Sequence, residues 1–206
     1  MGEHAAPADA APGDGGLSDG ALRDVVLRDV VLRDAVLRDA VPGDADAVAA
    51  VHVASWQAAY RHLLPAPLLE GLSVDDRARW WRRLLEAPRG DHVVVAAHDG
   101  TVCGFVHVGL GPPDAPGRGE LVTLYVAPGQ WGAGLGRRLH DTGLDRLVDE
   151  GCAEARVWML STNERARRFY VRQGWHRTEE VRIQQFGTAT VVDHRLAIDL
   201  TVRRPG

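Results

Sequence analysis

Between Leu121 and Gly151 the chain changes its period. Leu121 to Val126 is a short apolar run, Pro128-Gly129 a turn, and Gly132-Ala133-Gly134-Leu135-Gly136 a glycine cluster. Leu135, Leu139, Leu147 and Val148 then recur at helical spacing until Gly151. A strand therefore runs through a glycine-rich turn into a helix. Closely spaced glycines let the backbone approach a ligand, and the first N–H groups of a helix point at it unpaired. This is anion-binding geometry, suited to a phosphate. It is not the dinucleotide fingerprint, which would need glycine at 137, where Arg137 stands.

The rest of the chain alternates in the same way. A first strand is expected at Leu37 to Val41, ended by Pro42-Gly43, with Asp44 as N-cap of a helix to about Arg61. Ser73 caps a helix to about Glu86, whose Val74, Ala78, Trp81 and Leu85 share one face. Val93 to Ala97 reads as a buried strand, Asp99-Gly100 as a tight hairpin, and Val102 to Val108 as the returning strand. After a Gly/Pro-rich loop over 109–118 come the strand and helix already described. Ala155 to Leu160 is a strand, 163–173 a short helix ended by Gly174, and 178–186 and 190–200 are strands. The order predicts an α/β protein with a central mixed β-sheet and helices on both faces.

Composition removes several chemistries. All 24 Lys+Arg residues are arginine. Scarce Asn, Ile, Tyr and Phe beside abundant Ala, Val, Arg and Gly indicate GC-rich coding. Without lysine there is no P-loop lysine and no Schiff base. Cys103 and Cys152 are too few for a cysteine metal site and read as small core residues; no metal is expected. A net charge of −4 with interspersed signs predicts no nucleic-acid partner. No apolar stretch reaches the roughly 18–20 residues of a membrane span. The N-terminus lacks signal-peptide patterning, so a cytoplasmic protein is expected.

Residues 1–36 are expected to be a disordered and repetitive extension. Residues 1–20 hold almost no large apolar side chain. Leu-Arg-Asp-Val-Val and its variants then repeat from Leu22, Leu27, Leu32 and Leu37. A five-residue period advances a helix by about 500°, so its leucines form no stripe. The unit resembles the pentapeptide-repeat family, although Val26, Val31 and Val36 stand where that family has Asp or Asn. Duplication of a short coding segment upstream of the first strand accounts for it. Gly16-Leu17-Ser18-Asp19-Gly20 matches the G-x-S-x-G nucleophile elbow, but no strand precedes it and the match is discarded.

Leu124-Tyr125-Val126-Ala127-Pro128, followed by Trp131-Gly132-Ala133-Gly134-Leu135-Gly136, resembles the acyl-CoA-binding motif of the GNAT N-acetyltransferase superfamily. Gly134 and Gly136 match the family's glycines, and Trp131 takes its Arg/Gln position. The likeness continues through Asn163 to Tyr170 and Gly174-Trp175, and back to Trp56, Ala59-Tyr60 and Leu64-Pro65. Residues 37–202 would then be one GNAT domain with the acyl-CoA N-acyltransferase fold. Independently, Asn163 and Tyr170 lie seven apart, on one side of a helix and about 10 Å apart along its axis.

The resemblance implies direct transfer of the acetyl group of acetyl-CoA to an amine in a ternary complex. A primary amine must lose a proton before attack, and Glu120 is the candidate base. Backbone N–H groups of the strand holding Leu124, Tyr125 and Val126 would stabilise the oxyanion. Tyr170 would protonate the leaving thiolate. Pyrophosphate would rest on the backbone from Gly132 through Ala133, Gly134, Leu135 and Gly136 to Arg137, beside Trp131, and Asn163 would contact the pantetheine arm. Trp56, Tyr60 and His107 are candidates for the acceptor pocket. A small-molecule amine is the expected acceptor, with a protein or peptide amine, or a non-catalytic acyl-CoA-binding role, as alternatives. The resemblance leaves room for a homodimer.

Overall fold

The computed structural model describes residues 34–186 and 189–203, so the expected extension lies outside the described residues apart from its last three positions. Among the described residues seven strands form one sheet: β1 (Val36–Asp39), β2 (Asp91–His98), β3 (Thr101–Leu110), β4 (Arg118–Val126), β5 (Glu154–Leu160), β6 (His176–Phe186) and β7 (Ala189–Asp199). Their spatial order is β1-β2-β3-β4-β5-β7-β6. All neighbours are antiparallel except β4 and β5. The mixed sheet read from the sequence is therefore present.

Among the described residues five α-helices accompany it: α1 (Ala45–Tyr60), α2 (Ala66–Glu70), α3 (Val74–Glu86), α4 (Leu135–Asp149) and α5 (Glu164–Arg172). On one face Leu135, Leu139, Leu144 and Leu147 of α4 join Val94, Val106, Val108, Leu121 and Val157 in the larger core, with Tyr170 and Trp175 beside α5. On the other, Val48, Ala49, Ala78 and Trp81 of α1 and α3 cover Val93, Val95 and Phe105. A smaller cluster of Leu64, Leu69 and Val191, with Trp56, Tyr60, Leu160 and Phe186 against it, closes one end.

Two details revise the sequence reading. Ala35, two residues before Leu37, is buried, and its carbonyl accepts from Arg138 Nη2 at 2.6 Å. Asp44 holds the N-cap position of α1, but its side chain makes no capping bond to the helix. Its carboxylate accepts both Arg38 Nη groups at 2.7 and 2.8 Å and the Val41 N–H at 2.8 Å. The adjacent guanidinium holds this carboxyl below its ordinary range despite burial. Ser73 does cap α3, accepting from the Asp76 N–H at 3.1 Å.

Topology opens the sheet at its centre. The parallel register of β4 and β5 covers only Arg118↔Glu154 to Glu120↔Arg156. Beyond it the strands part, and among the described residues the edge of β4 from Val122 to Val126 has no strand partner on that side. A bulge at Val122 accompanies the divergence, because β3 pairs His107 with Thr123 but Val108 with Leu121.

Candidate active site

The split between β4 and β5 forms a cleft of about 510 Å³. Its floor is Val122 to Val126, its far wall Val157 to Leu160, and its mouths are the α4 N-terminus and α5. The Gly132 and Gly134 φ angles are +95° and +83°. A Cβ at either would meet nothing within 4 Å, so backbone conformation, not crowding, explains the glycines. Gly134 caps α4 without a side-chain bond, which leaves the first helical N–H groups facing the cleft mouth.

Trp131 has a specific place. Its indole N–H donates to the Val126 carbonyl at 2.6 Å, and the Arg165 guanidinium lies 3.5 Å from the ring centroid. Ser55 Oγ donates to the same carbonyl at 3.1 Å. The end of the unpaired β4 edge is thus clamped from α1 and from the turn before α4.

Three tyrosines meet at the other end. Trp56 Nε1 donates to the Tyr125 hydroxyl at 2.8 Å, and Trp56 and Tyr60 stack edge to face at 5.0 Å. The Tyr60 phenol lies beside Tyr125 and the Asn163 side chain. Burial pushes the Tyr170 phenol well above its ordinary range, with Tyr60 adding to the effect. Burial raises Tyr60 and Tyr125 as well. Each phenol therefore keeps its proton at neutral pH and can donate it.

Tyr60, Leu124, Tyr125, Val126, Trp131, Gly132, Gly134, Gly136, Arg137, Asn163 and Tyr170 all line the cleft. Ala133 and Leu135 do not: Leu135 is buried in the α4 core, and Ala133 packs against that core. Asn163 Oδ1 accepts from the Ala166 N–H at 3.0 Å, so it is the N-cap of α5 as well as a lining residue. Trp56 stands behind Tyr60 and Tyr125 without lining the cleft.

Two expected residues are displaced. Both Glu120 oxygens accept from Arg195, at 3.1 and 3.3 Å, and the side chain lies outside the cleft lining. His107 is only 3% exposed, beneath the floor, with Trp80 and Trp81 against its ring. Sequence reasoning missed Thr123, Ser55, Trp158 and Arg165 as lining residues. Of these, Thr123 stood inside a recognised strand, and only the bulge decides where it points.

A profile of the acetyltransferase (GNAT) family matches residues 56–175, and the chain belongs to that family. Over 95 residues it is 37% identical to a mycothiol acetyltransferase of Kocuria rhizophila, covering 44% of this chain and 31% of that protein. Over 119 residues it is 30% identical to the uncharacterized N-acetyltransferase YuaI of Bacillus subtilis, covering 56% and 66%. The chain thus spans about a third of the first of these relatives and about two thirds of the second. The fold matches PaiA N-acetyltransferase from Thermoplasma acidophilum in complex with coenzyme A, with a TM-score of 0.66 at 17% identity, over 81% of this chain and 99% of that one. The acyl-CoA N-acyltransferase fold is thereby present. No helix among the described residues is long and apolar enough to cross a membrane.

Proposed function

We propose that this protein transfers the acetyl group of acetyl-CoA directly to the amine of a small molecule. One observation carries the reading: an unpaired β4 edge leads from a positive-φ glycine cradle to a buried, protonated tyrosine. The chain's own groups fit the thioester cofactor along that line. The Leu135 and Gly136 N–H groups at the start of α4, ahead of the Arg137 N–H that returns to the Gly134 carbonyl at 3.0 Å, would receive pyrophosphate, with Arg137 and Arg168 at the mouth. The β4 edge offers backbone hydrogen bonds to the pantetheine amides, with Asn163 across the cleft. Acetyl-CoA supplies the activated acyl group, and the β4 N–H groups donate to the oxyanion. Tyr170 gives its proton to the departing thiolate. The mycothiol acetyltransferase relatives and the coenzyme A complex of the PaiA neighbour support this assignment. Tyr60 and Leu160 line the cleft, and Trp56 and Phe186 pack in the same apolar cluster behind them, which supports a small-molecule acceptor over a peptide.

The test is thiol release from acetyl-CoA across a panel of aliphatic amines, arylalkylamines, polyamines and amino sugars. Tyr170→Phe should lower kcat by about 100-fold or more on the best amine and leave coenzyme A affinity unchanged. Unaltered turnover in that variant would remove the acid role from Tyr170.

A further inference from the structure

Among the described residues the cleft is lined by four arginines, Arg137, Arg165, Arg168 and Arg172, and by no aspartate or glutamate. Arg165, Arg168 and Arg172 stand at i, i+3 and i+7 on α5, so successive turns of one flank carry them toward the cleft. Like charges at these spacings repel. Glu164 is the one acid of α5, and it pairs at 2.8 Å with Arg167, which does not line the cleft.

Three of these arginines have ordinary surroundings. Arg137 has Asp141 at 3.6 Å one turn further along α4. Arg168 is attracted by Glu164. Arg172 lies in the last turn of α5, where the helix dipole favours a cation. Arg165 has none of these. It stands two residues past the Asn163 N-cap, at the end of the helix where the dipole disfavours a cation. Among the described residues no carboxylate pairs with it and none of its N–H groups is hydrogen-bonded. Packing draws it partly out of water, which lowers its pKa, with no acid acting in the other direction. It remains a cation at neutral pH.

What holds Arg165 there is Trp131. The guanidinium carbon lies 3.5 Å from the indole centroid. That is the spacing of stacked planes; an edge-on guanidinium would bring its nitrogens inside van der Waals contact with the ring. The group therefore rests flat on the indole. Its five N–H donors lie in its own plane, so stacking uses the face and leaves the edge to a ligand. The platform is itself fixed, because the Trp131 N–H donates to the Val126 carbonyl at 2.6 Å. Trp131 immediately precedes Gly132, and Gly134 follows two positions later, so the stacked cation borders the glycine cradle. The contact also joins the turn before α4 to α5 across the cleft mouth.

We propose that Arg165, laid on the Trp131 ring, binds a phosphate of the cofactor, as a cation delivered from α5 to the cradle at the start of α4. The proposal rests on the acetyltransferase reading of the cleft. Arg165 is the binding residue and Trp131 the positioning residue. The indole carries no charge, and its N–H is engaged by Val126, so its contribution is to keep a long side chain in one place. Ordering an arginine costs rotamer entropy; with the stack formed beforehand, that cost falls on folding and not on binding. Helix N–H groups offer only partial charge, whereas the guanidinium adds a full one. Coenzyme A carries a diphosphate and a ribose 3′-phosphate, and the guanidinium fork suits either.

The full-length chain is titrated in a calorimeter with coenzyme A, with dephospho-coenzyme A, which lacks only the 3′-phosphate, and with pantetheine, which lacks every phosphate. Arg165→Ala should weaken coenzyme A by about 10- to 100-fold, as expected for charge-assisted hydrogen bonds, and flatten the salt dependence of its Kd. Pantetheine should bind both proteins equally. A loss that persists with dephospho-coenzyme A assigns the guanidinium to the diphosphate; one that vanishes assigns it to the 3′-phosphate. Trp131→Leu should weaken coenzyme A in the same sense, and Trp131→Phe, which keeps a ring to stack on, should restore most of it. The double variant Trp131→Leu/Arg165→Ala should bind no more weakly than Arg165→Ala alone. Equal coenzyme A affinity in Arg165→Ala and wild type, or an equal loss toward pantetheine, would overturn the proposal. Fully additive losses in the double variant would overturn the platform role of Trp131. Arg165-dependent binding of coenzyme A without thiol release from acetyl-CoA on any amine would uphold the phosphate site and refute the acetyltransferase reading. A wild-type chain that binds no coenzyme A would overturn both.

Discussion

Each face of the sheet buries a histidine against an indole. On the α4/α5 face Trp175 Nε1 donates to His140 Nε2 at 2.8 Å; on the α1/α3 face Trp81 Nε1 donates to His52 Nδ1 at 3.3 Å. The two halves differ in how the chain assembles them. The α4/α5 half of the cleft comes from one stretch, β4 through α5, and offers mainly backbone: an unpaired strand edge, two positive-φ glycines and a helix start. The α1/α3 side of the sheet, beneath the cleft floor, gathers side chains from α1, α3, β2 and β3, among them His52, Trp81, Asp91 and His107. A generic ligand can be held by local backbone geometry. Selecting and deprotonating an acceptor needs particular side chains from distant segments.

The largest effect expected from this division concerns Gly134. A residue with a Cβ would be strained at a φ of +83°, and an aspartate would add a negative charge where phosphate is to bind. Gly134→Asp should abolish the rise in thermal midpoint on adding coenzyme A, whereas His107→Gln should keep it. Loss of the shift in both variants, or in neither, would break the separation of the two halves.

How much of this was legible follows the same line. The α4 stripe of Leu135, Leu139 and Leu147 is a local periodicity, and the structure places it as expected; β7 shows no such alternation, because Arg195 and Ala197 are buried together with Leu196 and Ile198. The five-residue α2 was not predicted; with Pro65 before it and Pro67 within, it is too short to show a period. Glu120 looked like a base because its strand led to the cleft. Arg195, seventy-five positions away, engages it, and no local pattern carries that information. His107 was assigned to the pocket one layer too high, since one bulged residue sets which face of β4 it meets. Asn163 was read for its ligand chemistry although Asn just before a helix is also a capping signal.

Acid should separate the faces next. Burial, with Arg77 and His107 adding to it, lowers the His52 pKa to about 3, and burial also lowers that of His140, opposed by Asp141. Both rings are neutral in the folded protein, while in the unfolded chain they titrate near 6.5. The unfolded state then binds more protons below that pH. Their contribution is complete above about pH 6.5 and is lost as the pH falls toward the folded values. Urea unfolding at pH 7 and pH 4.5 should show a loss of a few kcal/mol, and His52→Gln should remove more of it than His140→Gln. Equal effects would mean that the two indole–histidine pairs bear the same burden.

The smallest expected effect lies at a residue that touches both halves. Asn163 Oδ1 caps α5, and its side chain also lies beside Tyr60 of α1. Asn163→Ala should cost about 1 kcal/mol, the usual value of a lost N-cap. Asn163→Asp keeps an acceptor for the Ala166 N–H but loses the amide donor. If capping is the whole role, Asp should restore both stability and kinetics. If the amide also donates to the pantetheine arm, stability should return in Asn163→Asp while the KM for acetyl-CoA stays raised about three- to tenfold, as expected for one hydrogen bond of ordinary strength. Chemical denaturation and steady-state kinetics on the same two variants therefore divide a structural contact from a binding one. The ratio of the two effects measures how far the cofactor half depends on a side chain after all.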